Sequence, residues 1–156
     1  MIEAFRIVTK HLALSAFDGE GARKYGARWN SPGTRMIYTA SARSLAILEI
    51  LAHIEDEATL SSSFCSIRVE FPDELVSSLD TEQLPKGWDS SPALAATPII
   101  GDNWAKAGES PILAVPSAIV PEETNYLLNP DHSDFGKITI DEPIPIGIDP
   151  RLTRFS

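Results

Sequence analysis

The chain predicts an α+β fold in a single domain. Short apolar strands and two helical stretches follow one another without the regular strand–helix alternation of a doubly wound sheet. At 156 residues it has the length of one domain with one sizeable core. Hydrophobic residues make up 43% and charged residues 22%, the balance of an ordinary globular protein.

Taken in order, Glu3–Val8 reads as an opening strand with Phe5 and Ile7 on one face. Residues 17–34 hold Gly19, Gly21, Gly26, Pro32 and Gly33, which predicts a long glycine-bearing loop. Loops of that length inside a compact domain tend to be functional. Arg35–Ala40 reads as a short strand, and Ser41 as the N-cap of a helix over Ala42–Glu55. Phe64–Phe71 alternates, with Cys65, Ile67, Val69 and Phe71 on one face and Ser66, Arg68 and Glu70 on the other, the pattern of a half-buried strand. Ser91-Pro92 predicts the start of a second helix running to about Lys106, with the serine as cap and the proline at the first helical position. Pro98 inside it predicts a kink or break. Ile112–Val115 reads as a short buried strand that Pro116 ends, and Ile138–Ile140 as another. Pro143, Pro145 and Pro150 predict an extended course for the tail, 141–156.

The net charge of −9 argues against a large nucleic-acid footprint, because phosphate binding needs clustered Lys and Arg. A small anionic ligand stays compatible, since one or two local arginines overcome a global negative field. The lone Cys65 makes neither an internal disulfide nor a Cys-rich zinc site. Neither a signal peptide nor an apolar run of roughly 18 residues is present. A cytoplasmic location without a membrane partner is therefore expected.

One conflict between pattern and residue points to a site. The segment Leu45-Ala46-Ile47-Leu48-Glu49-Ile50-Leu51-Ala52-His53-Ile54 is apolar in nearly every helical direction, which predicts a core helix. Glu49 sits in its middle, and a carboxylate among apolar neighbours is costly unless it is paired or has work to do. Glu49 and His53 share a polar stripe one turn apart, facing either a cleft or bulk water. The pair could begin a metal site, but no third ligand stands at a recognisable spacing. Arg28 follows a glycine turn and offers a planar fork of donors suited to phosphate or carboxylate, or to a surface ion pair. Tyr38, in an apolar strand, reads either as core or as a flat face for an aromatic ligand. Pro116 and Pro121 bracket Ser117, and Asn129-Pro130 reads as a turn.

These pieces recur in one order. Gly-x-Arg-Trp-Asn-x-x-Gly, Ile-Tyr-Thr-Ala, Leu-Ala-x-Leu-Glu-x-Leu-x-His, Val-Pro-Ser-Ala-x-Val-Pro and Asn-Tyr-Leu-x-Asn-Pro-x-His resemble the RES-domain family, named for an Arg, a Glu and a Ser. The resemblance runs from about Arg6 to Ile140. Ala27 departs from it, standing where the family most often has a second glycine before the arginine. The resemblance implies a single RES domain over 1–156 with an ADP-ribosyltransferase-like fold, small mixed sheets around an NAD cleft and a buried helix at about 42–55. It implies the toxin of a toxin–antitoxin pair, with NAD as substrate; no metal is expected, from the missing third ligand beside Glu49 and His53. The acceptor is left open among water, phosphate and a protein side chain, so a protein target of ADP-ribosylation belongs to the expectation. It also implies a cognate antitoxin carrying a helix-turn-helix domain, which would make the DNA contacts. Carried over, the family arginine is Arg28, the tyrosine Tyr38, the glutamate Glu49 and the serine Ser117. Asn125 falls in the Asn-Tyr-Leu segment, and Arg6, near the start of the first strand, is added as a ligand contact.

That chemistry suits these residue types. Cleaving a nicotinamide–ribose bond leaves positive charge on the sugar, as in glycoside hydrolysis. A fixed carboxylate beside the ribose stabilises that charge. Two other classes compete. A serine hydrolase would use Ser117 with His53 or His132, although the Gly-x-Ser-x-Gly elbow is missing. A non-catalytic interaction module would bind no NAD.

Overall fold

In the computed structural model, residues 1–153 are described, apart from the side chains of residues 57 and 60. The alternating apolar residues of β1 (Ile2–Thr9) and β3 (Phe64–Phe71) pair antiparallel along their whole length, from Ile2↔Phe71 to Thr9↔Phe64. Phe64–Phe71 is a strand with the bounds its alternation predicts. Ser66 of the polar face is nonetheless buried, and its hydroxyl accepts from Arg43. Around this pair lie β2 (Ile37–Ala40), β4 (Val76–Ser78), β5 (Ile112–Pro116), β6 (Thr124–Leu128), β7 (Thr139–Ile140) and β8 (Ile144–Ile146). The eight strands form one curled sheet in the order β4-β5-β6-β2-β1-β3-β7, with β8 also on β3. Among the described strands, only β4 and β5 run parallel. The α+β class therefore holds, but one continuous sheet replaces the expected small sheets.

The continuity is narrow at one place. β1 and β2 share a single register pair, Phe5↔Ala40, and a cleft of about 800 Å³ is lined by both strands. A strand that leaves its neighbour leaves carbonyls unpaired, and buried carbonyls need partners. Arg6 supplies one: its Nη1 donates to the Tyr38 carbonyl at 3.0 Å and its Nε to the Ala16 carbonyl at 2.7 Å.

Four helices join the sheet: α1 (Glu20–Tyr25), α2 (Arg43–His53), α3 (Glu57–Leu60) and α4 (Ala96–Ala107). α1 interrupts the expected long loop 17–34. Gly19 precedes it at φ 73° and Gly26 ends it at φ 69°, conformations that glycine reaches without strain. α2 is shorter than Ala42–Glu55 and its N-cap is Ala42, with no side-chain cap bond. Ser41 instead prolongs the β2–β6 ladder, its amide donating to the Thr124 carbonyl at 3.0 Å. Within α2 only Leu45 and Ala46 are fully buried, against Ile7, Ala40 and Phe64, while Leu48 is 41% exposed. Apolar composition on all sides thus does not make α2 a core helix, because only one face meets the sheet.

α4 starts later than Ser91-Pro92. Pro98 lies in its first turn, where its missing N–H is one of the donors a helix leaves unpaired, so no break occurs there. α4 packs through Ile100 and Trp104 on Trp29, Met36, Leu113, Val115 and Leu127. The tail is not simply extended. β8 pairs with Phe64–Ser66 on the outer edge of β3, where Pro145 costs no interior ladder bond, and Pro150–Leu152 forms a 3-10 turn. Residues 154–156 of that tail lie outside the described residues.

Candidate active site

Glu49 extends from α2 to the loop end of the β5–β6 hairpin. Its Oε1 accepts from Ser117 Oγ at 2.7 Å and from Asn125 Nδ2 at 2.8 Å. Ser117 directly follows β5, and Asn125 lies in β6, paired with Val115 and Ala40. The loop between them closes through Ser117 N–H to Glu123 O at 2.9 Å and Glu123 N–H to Val120 O at 2.8 Å.

The Ser117 hydroxyl is fully committed. Its oxygen accepts from the amides of Ile119 and Val120, each at 3.1 Å, so its hydrogen is directed to Glu49. It is 0% exposed and does not line the cleft. Neither histidine of the hydrolase alternative is bonded to it. His53 Nδ1 meets the Glu49 carbonyl at 2.6 Å, and His132 bonds the Gly108 carbonyl and the Asp134 amide.

Glu49, Asn125, Arg6, Arg28, Tyr38 and His53 all line the cleft. The Tyr38 hydroxyl donates to Asn30 Oδ1 at 2.7 Å and accepts from the Trp29 amide at 3.1 Å. Burial pushes its phenol well above the usual range. The charge of Asp102 adds to this, while the Trp29 amide and Arg28 oppose it. With the hydroxyl occupied and neutral, the ring is what Tyr38 offers to the cleft. Burial lowers the Arg6 guanidinium to about 10, with Asp18 opposing, so it stays charged at neutral pH. Among the described residues, no carboxylate lies within ion-pair distance of Arg6 or Arg28. Arg28 Nη1 donates to the carbonyls of Trp88 at 2.8 Å and Ser90 at 2.9 Å.

All six sequence-predicted residues therefore gather at one cleft, five on its wall and Ser117 behind Glu49. The sequence reading gave Asn30 no role, and it organises the Arg28 loop. Its Nδ2 lies within hydrogen-bond reach of the carbonyls of Ala22 (2.8 Å), Thr34 (3.1 Å) and Ser31 (3.2 Å), while its Oδ1 takes the Tyr38 hydroxyl. An asparagine between Trp29 and Ser31-Pro32-Gly33 reads as an ordinary turn residue, so only its place inside the Gly-x-Arg-Trp-Asn motif signalled it. Asp102, whose Oδ1 accepts from the Ser31 amide at 2.9 Å, carried no signal.

The RES domain family model matches residues 3–149. The chain is 42% identical over 149 residues to a Yersinia enterocolitica protein named Toxin Res, covering 95% of this chain and 97% of that relative. It is 37% identical over 155 residues to a Sphingobium protein named Prs ADP-ribosylating toxin, covering 96% of each. The toxin–antitoxin complex MbcT–MbcA of M. tuberculosis contains a chain of similar fold, with a TM-score of 0.76 at 19% identity over 94% of this chain and 84% of that one. A family match across nearly the whole length, joined by relatives of the same length that are named as toxins, means that this chain belongs to the RES domain family of toxins.

Proposed function

We propose that this protein is the toxin of a toxin–antitoxin system that binds NAD and cleaves its nicotinamide–ribose bond. The observation that carries the reading is the Glu49 carboxylate, held through one oxygen by Ser117 and Asn125 on the wall of a cleft that also contains two arginines without carboxylate partners among the described residues. Oε2 of Glu49 carries no hydrogen bond among the described residues, which suits a ribose hydroxyl. Asn125 Oδ1 is a buried acceptor with no partner among them, which suits a donor arriving beside Glu49. The volume of about 800 Å³ lies within the range of small-ligand sites.

In this reading Arg6 and Arg28 hold the pyrophosphate, and the ring of Tyr38 packs on the nicotinamide. The bond from ribose C1′ to the pyridinium nitrogen breaks with its electron pair going to nitrogen. Nicotinamide thus leaves neutral and needs no strong general acid, while the sugar takes the positive charge. Glu49 faces that charge, fixed in advance by its two donors. Water, phosphate or a protein side chain then bonds to C1′ and releases a proton. The name of the Sphingobium relative supports ADP-ribosylation of a protein as one of these outcomes. A cytoplasmic enzyme of this kind needs restraint. We assign that restraint to a cognate antitoxin with a helix-turn-helix domain, which also makes the DNA contacts that a chain of net charge −9 disfavours.

The test is to incubate the protein with NAD and follow nicotinamide release with water, phosphate or protein as acceptor. Glu49→Gln keeps the shape and removes the charge, so release is expected to fall by about 10² or more. A folded Glu49→Gln protein with near-parental turnover would refute the role.

A further inference from the structure

We infer that the strap between β4 and α4, residues 79–95, is a positioning element for Arg28, and that Trp88 and Gly87 set substrate affinity through it. The inference rests on the NAD reading of the cleft and adds residues that do not line it.

A guanidinium has five N–H donors and presents them in pairs. In Arg28 both hydrogens of Nη1 are directed to the strap, to the carbonyls of Trp88 and Ser90 at 2.8 and 2.9 Å. That removes Nη1 from ligand binding. What remains is Nε–H with Nη2, the side-on fork whose two parallel donors match two oxygens of a phosphate or carboxylate. The described structure gives Arg28 no other hydrogen bond. The strap therefore fixes where the fork points.

The strap can do this because it is itself anchored. Leu79, Leu84 and Trp88 pack on the cluster built around Trp29, Met36 and Leu113, and the Leu79 amide bonds the Ala114 carbonyl at 3.0 Å. The Trp88 ring lies against that of Trp29, the residue after Arg28, with centroids 6.1 Å apart and planes tilted by 34°. Trp88 and Ser90 sit in consecutive turns, with Trp88 N–H to Pro85 O at 3.1 Å and Ser90 N–H to Gly87 O at 3.0 Å. Gly87, at φ 83°, makes the bend between them. An L residue there is strained even though the nearest atom to an added Cβ, Leu94 Cδ1, is 3.6 Å away. One side of Arg28 is thus clamped by backbone that the core holds in place. A long, rotatable arginine is converted into a directed fork with less entropy to lose on binding.

The experiment is a double-mutant cycle read on NAD. Trp88→Ala and Gly87→Ala are each made in the parent and in Arg28→Lys, since lysine has no second nitrogen to leave facing the cleft. Denaturation establishes that each variant is folded, and Gly87→Ala decides if Trp88→Ala is not. In the parent each variant is expected to raise the KM or Kd for NAD about tenfold with a smaller change in kcat. In Arg28→Lys the same changes should shift it less than twofold, and in the parent Trp88→Phe should keep most of the affinity that Trp88→Ala loses. Unchanged affinity in folded strap variants would overturn the inference alone. A tenfold loss persisting undiminished in Arg28→Lys would do the same, because it would mark a general structural effect. A parental protein that neither binds nor consumes NAD would overturn the reading of the cleft, and this inference with it.

Discussion

At the scale of single residues, hydrogen-bond saturation separates the roles of Ser117 and Asn125. The amides of Ile119 and Val120 occupy the Ser117 oxygen, so the hydroxyl orients Glu49 and is not free to attack a substrate. Ser117→Ala leaves two amides unpaired and is expected to cost about 1–3 kcal/mol of stability. Asn125→Ala removes only the other donor to Glu49 and should cost less. Both should lower kcat by roughly 10-fold or more while leaving measurable turnover, because the carboxylate itself remains. Complete loss of turnover in a folded Ser117→Ala protein would instead indicate a nucleophile. Arg6 behaves differently, because it is a buried charge whose pKa falls from the usual arginine range to about 10. The folded state thus disfavours its proton. The cost is present in full below pH 10 and is relieved as pH rises above it, where the unfolded chain holds more protons. Arg6→Met removes that cost along with two hydrogen bonds to carbonyls. The two carbonyls it leaves unpaired should outweigh that relief, so a stability loss of about 1–3 kcal/mol in urea is expected. NAD affinity should fall at least about tenfold, by the loss of a charge-assisted contact. A large stability loss with unchanged affinity would return Arg6 to a purely structural role.

At the scale of elements, the site depends on how closely α4 approaches the Arg28 loop. A Cβ on Gly101 would stand 1.7 Å from the Trp29 carbonyl oxygen, so the helix backbone and the loop touch there. Asp102, one residue on, accepts from the Ser31 amide and fixes the same loop. Gly101→Ala should therefore force the two apart. A stability loss of about 3 kcal/mol is expected, at or above the usual range for overpacking because the obstructing atom is backbone. Chemical denaturation measures it, and an unchanged midpoint would mean that the approach is looser than described. α2 shows the opposite economy. It starts without a side-chain cap and buries one face, so its stability comes from Leu45 and Ala46 against the sheet. A helix held that way carries Glu49 to the cleft at a fixed height.

At the scale of the whole molecule, every candidate site residue except Ser117, which stands behind Glu49, lies around one opening in a single sheet. An inhibitor that fills the opening blocks all of them at once. An antitoxin segment reaching Arg28 and Glu49 should therefore exclude NAD, and by linkage NAD should weaken antitoxin binding by the same factor. Calorimetric titration of NAD into the free protein and into the preformed complex measures this. Equal affinity in the two would place inhibition away from the cleft. No helix among the described residues is long and apolar enough to cross a membrane.

The sequence by itself determined the α+β class, the strand Phe64–Phe71 and the candidate residues. These are local properties: alternation of side chains, and an order of short motifs that names its own members. It misjudged features set by distant neighbours. Ser41 looks like a cap but is drawn to Thr124, and the α2 sequence looks core-like although only one side finds a partner. The short strand β6 and the pairing of the tail strand β8 are decided by neighbours across the sheet, since nothing in their own residues names the partner strand. Only the tertiary structure revealed that Ser117 stands behind Glu49 and that Arg28 is clamped by carbonyls 60 and 62 residues away. Backbone carbonyls are the same in every residue, so no reading of side chains along the chain could have found them.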